Sequence, residues 1–167
     1  MGSNLYLTAT VIDVKNATVL SSSKKQFSSL DDIFGLFPTL ASDLLASINY
    51  KIGDTGPGGG IIYYIEGNRY YECTGLLGRE NFEGAKKMCQ EYRGGGFDDW
   101  YLPTKEDLNR IYKNLKTVEI SAADEYFWSS SPYDNGDAWV QRFSDGGKGG
   151  YDKDYALCVR AVRAFSN

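Results

Sequence analysis

The chain has no histidine, which excludes His-based catalytic triads, proton relays and imidazole metal sites. Its three cysteines allow one disulfide and one leftover thiol, too few to read the redox compartment. No stretch of eighteen consecutive apolar residues occurs, so no segment reads as a membrane-spanning helix. Basic residues are the minority: 18 Lys and Arg against 22 Asp and Glu give a formal charge of -4. Without a basic excess to neutralise phosphates, nucleic acid is not an expected partner. Neither a basic head nor an apolar core follows Met1-Gly2-Ser3, so this start reads as a cloning remnant and not a signal peptide.

The content that remains describes a folded protein. Hydrophobic residues make up 42% of the 167, enough to exclude a wholly disordered chain. Composition shifts near Tyr50: the first 49 residues hold two glycines and one tyrosine, and every tryptophan and cysteine lies beyond them. The expected organisation is therefore an N-terminal segment, 1–49, and a larger domain, 50–167. In the first, Leu5, Leu7, Ala9 and Val11 alternate with Tyr6, Thr8 and Thr10, the period of a strand with one buried face. A second strand begins at Thr18. Ser29 with Asp32 forms a capping-box pattern, Pro38 suits a first helical turn, and Leu40, Leu44, Leu45 and Ile48 make an apolar stripe. A hairpin with a short helix is too small for a large core of its own, so it is expected to dock on something, and a fragment of a larger domain is one reading of it.

The second part opens on Gly53-Asp54-Thr55-Gly56-Pro57-Gly58-Gly59-Gly60, which reads as a tight turn, since three glycines in collagen phase are too few for a triple helix. Ile61–Ile65 and Tyr70–Cys73 flank a hairpin turn at 66–69. Phe82, Ala85, Met88, Cys89 and Tyr92 recur at helical spacing until Gly94-Gly95-Gly96 stops them. Thr104 with Asp107 caps a second helix whose apolar face is Leu108, Ile111, Tyr112 and Leu115. Short strands follow around 127–128, 138–143 and 156–165, with Trp128, Trp139 and Phe143 expected in the core. Asp98 and Asp99 read as loop-shaping carboxylates. Arg160 and Arg163, three apart on a strand, face opposite sides, one toward an inner carboxylate and the other toward solvent. Ser129-Ser130-Ser131 lacks any histidine, or a lysine at a recognisable spacing, to activate a nucleophile.

Several of these stretches coincide in order. They are Gly53–Pro57 with Gly59-Gly60-Ile61, Gly96–Thr104 running on to Glu106-Asp107-Leu108, Phe127–Ser131 with Ala138-Trp139, and Val159–Phe165. Together they resemble the bacterial DUF1566 family, whose members look like C-type-lectin-fold domains of surface adhesins and lipoproteins. The resemblance covers about residues 51–165. It implies an α+β, C-type-lectin-like fold with two helices and mainly antiparallel short strands, preceded here by the hairpin-and-helix segment. Residues 4–49 more faintly resemble the tail of the periplasmic domain of curli-secretion and TolB-like lipoproteins, through Thr8–Val14, Ala17–Leu20 and Leu40–Ile48. The lectin-like resemblance also implies a disulfide between Cys89 and Cys158, leaving Cys73 without a mate.

The resemblance places the ligand on the long connection before the last strand, at Tyr133, Asp134, Asn135, Asp137, Arg142, Asp145, Tyr151, Asp152, Asp154 and Tyr155. Aromatic faces there can cover apolar patches while carboxylates and amides bond hydroxyl or peptide groups. The functional expectation is a non-catalytic binding or adhesion module, exported to a bacterial cell surface or periplasm, with its signal or lipid anchor outside these residues. A surface carbohydrate or protein is the expected partner. A structural or assembly domain is the alternative. An enzyme is the weakest reading, because the three cysteines form no redox pair like that of the related formylglycine-generating enzymes. No cofactor is expected. The oxygen donors of Asp134–Asp137, Asp152 and Asp154 suit calcium chemically, but no EF-hand loop and no Glu-Pro-Asn or Gln-Pro-Asp lectin signature is present.

Overall fold

The strand alternation of the N-terminal segment does produce a hairpin. In the computed structural model, which describes residues 5–13, 18–27, 49–115 and 124–166, β1 (Leu5–Asp13) pairs antiparallel with β2 (Thr18–Phe27). The register runs from Leu5 opposite Phe27 to Asp13 opposite Thr18, with an irregularity at Val11/Ile12. The capping box at Ser29, Pro38 and the stripe from Leu40 to Ile48 lie outside the described residues. The chain divides into two compact units, residues 1–49 and 50–166.

Among the described residues, the second unit is an α+β fold of two sheets and two helices. β3 (Ile61–Glu66) and β4 (Arg69–Cys73) form the expected hairpin, turned by Gly67 at φ 61°. The last strand, β10 (Val162–Ser166), returns to the free edge of β4, with Val162 opposite Cys73, so the end of the domain closes on its beginning. The larger sheet has the order β5-β9-β6-β7-β8, from β5 (Gly78–Glu80), β6 (Tyr126–Pro132), β7 (Asp137–Arg142), β8 (Lys148–Asp152) and β9 (Leu157–Val159). All its pairings are antiparallel except the single β6–β9 bridge, Phe127 opposite Cys158.

Both helices form where periodicity puts them. α1 (Phe82–Glu91) is capped by Asn81, whose side chain accepts the Gly84 N–H. α2 (Lys105–Asn114) has the full reciprocal box between Thr104 and Asp107. Side chains alternate across a strand, and β6 uses this to serve two cores. Trp128 packs in one with Phe82, Ala85 and Cys89 of α1, and Phe127 packs in the other with Leu108 and Ile111 of α2. The helices therefore cover opposite faces of the five-stranded sheet.

One buried carboxylate explains most of the glycine and tryptophan motifs. Glu72 on β4 is fully buried and accepts the N–H groups of Gly58 and Gly60, each at 3.0 Å. Its Oε1 also takes a 2.7 Å bond from Arg163, whose Nε reaches Asp99 at 2.6 Å and whose guanidinium lies 3.7 Å from the centre of the Phe97 ring. A Cβ on Gly58 would stand 2.5 Å from Trp100 and 2.7 Å from Glu72. The turn must be glycine because its backbone is pressed against a carboxylate and an indole. Asp99 is an ion-pair partner of Arg163, where the sequence reading expected a carboxylate bonded to backbone.

Arg160 corrects a second expectation. It is 2% exposed, far from reaching solvent, and its guanidinium lies between the rings of Phe127 and Phe143 at 4.5 and 4.6 Å. Its Nη1 approaches Cys73 Sγ at 3.9 Å, and Nε and Nη2 have no hydrogen-bond partner. The disulfide is also corrected. All three cysteines are buried free thiols. Cys89 belongs to the core under α1, where its thiol donates to the Arg160 carbonyl at 3.4 Å, whereas Cys158 points into the core under α2. The period of two on β9 turns Val159 toward Cys89 and Cys158 away from it. Burial pushes the Cys89 thiol up to about 12. Burial also lifts Cys73, to about 11, against the opposing pull of Arg160.

Candidate ligand-binding surface

The expected site residues fall on β7, β8 and the turns around them, and the pleat divides them between two faces. Tyr126 stands opposite Arg142 and Tyr151 opposite Ala138, so these project to the side of the sheet that carries Trp128. There Tyr126 packs against Tyr151 at 5.2 Å, Tyr151 meets Tyr155 edge-on at 6.1 Å, and Arg142 lies 5.3 Å over the Tyr126 ring. Tyr155 is 61% exposed and Tyr151 36%. The result is a short ladder of tyrosines, exposed at Tyr155 and Tyr151 and half-buried at Tyr126, ending on a guanidinium.

Arg142 is held in place by a two-pronged bond to Asp145, through Nε and Nη2. Arg142 and the Gly147 N–H, which donates at 2.8 Å, stabilise the Asp145 anion and bring its carboxyl down to about 2. Both groups lie on the outer surface.

Tyr133 is not part of that ladder. It projects on the opposite side, where it packs edge-on to Trp139 at 4.8 Å. Trp139 and Gln141, two apart on β7, share this face with Ser129 of β6 and Lys148 of β8. Together with Lys105 and Leu108 of α2 they border a cavity of about 250 Å³. Trp139 is thus half-buried beside the cavity and not in the core, a correction to the reading of both strand tryptophans as core. Gln141 carries no signal in the sequence, and Ser129 stands out there only as part of the Phe127–Ser131 stretch. Only the strand register, Gln141 opposite Phe127 and Lys148, makes Gln141 part of a floor.

The acidic residues of the connection are mostly engaged with their own turns. Asp134 Oδ1 accepts the N–H groups of Gly136 and Asp137 at 2.9 and 2.8 Å, and Asp152 Oδ1 accepts that of Asp154 at 2.9 Å. Lys153 Nζ bonds the Asn135 carbonyl at 3.0 Å. Asp137 opens β7 half-buried, and Asp154 is exposed. Among the described residues no three metal-capable side chains gather in one place, and none of the helices described is long and apolar enough to cross a membrane.

The profile of the Lcl C-terminal domain matches residues 65–163, from within β3 to within β10. The chain belongs to the Lcl C-terminal domain family. The match takes in Glu72, Asp99, Trp100 and Arg163, so the buried ion-pair network lies inside the Lcl domain, as do both faces of β7. No curated protein matches the chain. Two solved structures overlap the Lcl domain at low identity. The snake venom toxin convulxin is 11% identical over 62% of this chain and 94% of its own, with a TM-score of 0.39. EMS16, an antagonist of the collagen receptor integrin alpha2beta1, is 12% identical over 62% of this chain and 95% of its own, with a TM-score of 0.37.

Proposed function

We propose that residues 50–166 form a C-type-lectin-like, non-catalytic binding module of an exported bacterial protein, which recognises a surface carbohydrate or protein through the tyrosine ladder between β6 and the 133–155 connection. The observation that carries this reading is the series Tyr126–Tyr151–Tyr155, half-buried at Tyr126 and exposed at Tyr151 and Tyr155, with Arg142 at its end. Aromatic rings held at the surface, with a fixed cation beside them, offer apolar faces and directed donors at low entropic cost. Among the described residues, Tyr151 and Tyr155 are large hydrophobic side chains left exposed next to each other in this connection. Such clustering marks an interaction surface, whereas single exposed apolar residues do not. Resemblance to surface adhesins supports the exported setting, and the TolB-like resemblance of residues 4–49 supports a periplasmic or surface lipoprotein.

A glycan and surface-protein binding screen tests the reading, repeated with Tyr151→Ala and Asp152→Ala. The ladder requires Tyr151→Ala to lose most of the binding. Asp152 holds its own turn, so Asp152→Ala acts more weakly. Undiminished binding by a folded Tyr151→Ala rejects the surface.

A further inference from the structure

The opposite face of β7 carries a second site. We propose that the cavity between α2 and the β6–β7–β8 floor binds the acetamido group of an N-acetylated amino sugar. This inference assumes the binding-module reading but uses none of the ladder residues.

Gln141 is the first ground. It is 2% exposed, lines the cavity, and has a buried carboxamide whose Oε1 and Nε2 both lack a hydrogen-bond partner. A buried amide left unpaired weakens the fold, and the cost is recovered when the carboxamide turns into the cavity and pairs with a ligand. Nε2 needs an acceptor and Oε1 needs a donor, side by side. A secondary amide supplies both at once through its C=O and N–H.

The lining points to the acetamido group, and the size to one ring that carries it. The volume of about 250 Å³ leaves room for a sugar ring beside its acetamido group. It falls below the roughly 300–1,000 Å³ of pockets for drug-sized ligands. Leu108 in the wall suits a methyl group, and half-buried Trp139 suits the C–H face of a sugar ring. The two lysines at the rim do not call for an anion. Lys148 Nζ already donates to Asn109 Oδ1 at 2.7 Å, and Lys105 is 3.8 Å from Glu106 and 5.3 Å from the centre of the Trp139 ring.

Calorimetry and ligand-observed NMR on the full chain test the site with three probes: N,N′-diacetylchitobiose, cellobiose (the same linkage with hydroxyls for acetamido groups) and N-acetylglycinamide. Diacetylchitobiose should bind the wild type at least tenfold more tightly than either other probe. Gln141→Met should lose at least tenfold in affinity with an unchanged or higher melting temperature. Tyr151→Ala should bind diacetylchitobiose normally. In the wild type, the Gln141 side-chain amide resonances should move on titration, a readout that does not depend on the variant folding. Four results overturn the proposal: no binding of diacetylchitobiose, equal binding of cellobiose, equal binding of the peptide amide, or unmoved Gln141 resonances. Binding kept by Gln141→Met but lost by Tyr151→Ala puts the sugar on the ladder, which rejects the cavity and sustains the reading above it.

Discussion

Glu72 and Arg163 meet at 2.7 Å with both side chains almost wholly removed from water. The pair links β4 to β10, and Glu72 also pins the glycine turn at 58–60, with Gly58 N–H sharing Oε1 with Arg163 and Gly60 N–H taking Oε2. Removing the carboxylate leaves a buried guanidinium and two buried N–H groups without their acceptor. Glu72→Ala should therefore destabilise the domain by about 3–5 kcal/mol. Asp99→Ala, at the half-exposed end of the same network, should cost about 1 kcal/mol or less. Urea unfolding followed by tryptophan fluorescence reads both, since all three tryptophans lie in residues 50–166.

The glycines of the turn should differ in tolerance according to what a methyl group would meet. In Gly60→Ala the new Cβ stands 2.8 Å from the Cys73 carbonyl oxygen, which is backbone and cannot swing aside. Overpacking of that kind costs about 1–3 kcal/mol. Gly75→Ala meets nothing within 4 Å and has no left-handed φ to violate, so it should be neutral. Melting temperatures of the two variants check the contrast.

The thiols should stay silent until the chain unfolds. Mass spectrometry without reductant should find three free cysteines, and alkylation at pH 8 should label none in the native state. Burial raises Cys73 and Cys89 above their unfolded values. For a thiol this favours the folded state while the group is protonated. The contribution is complete below the unfolded value of about 8.5, and it is lost as pH rises through the native values of about 11 and 12. Stability should fall on that alkaline side, and Cys89→Ala should flatten the fall.

Asp145 gives an acid-side counterpart. Its native value, about 2, lies below the ordinary 3.8, so its contribution is present above about pH 4 and is lost as pH falls toward 2. Carboxyl NMR titration should give a midpoint near 2 in the wild type and a higher one in Arg142→Ala, still below the ordinary value because the Gly147 N–H remains.

Local signals made much of the fold legible. The helix at Phe82 and the capped helix at Thr104 carry a 3.6 period and a capping residue within one short window, and the 61–73 hairpin carries its own turn. β8 was missed because Lys148-Gly149-Gly150-Tyr151-Asp152 has almost no apolar alternation; it forms by pairing with β7. Arg160 looked solvent-directed because charge usually is, and only the two phenylalanine rings around it explain its burial. Residues 133–155 look like one surface in the sequence, yet a strand turns successive side chains to opposite sides, so Tyr133 and Tyr151 lie on different faces. Gln141 was invisible for the same reason, since its significance depends on register and not on composition.

The central claim is that the glycine, tryptophan and arginine motifs build a scaffold while the ladder of Tyr126, Tyr151 and Tyr155 meets the ligand. Backbone amide shift mapping on an isotope-labelled chain, titrated with the strongest binder from the screen, tests it most directly. The account predicts the largest changes in residues 126, 142–145 and 151–155, with Gly53–Gly60 and Asp98–Trp100 unmoved. Changes confined to those two motifs, with a silent ladder, would contradict it.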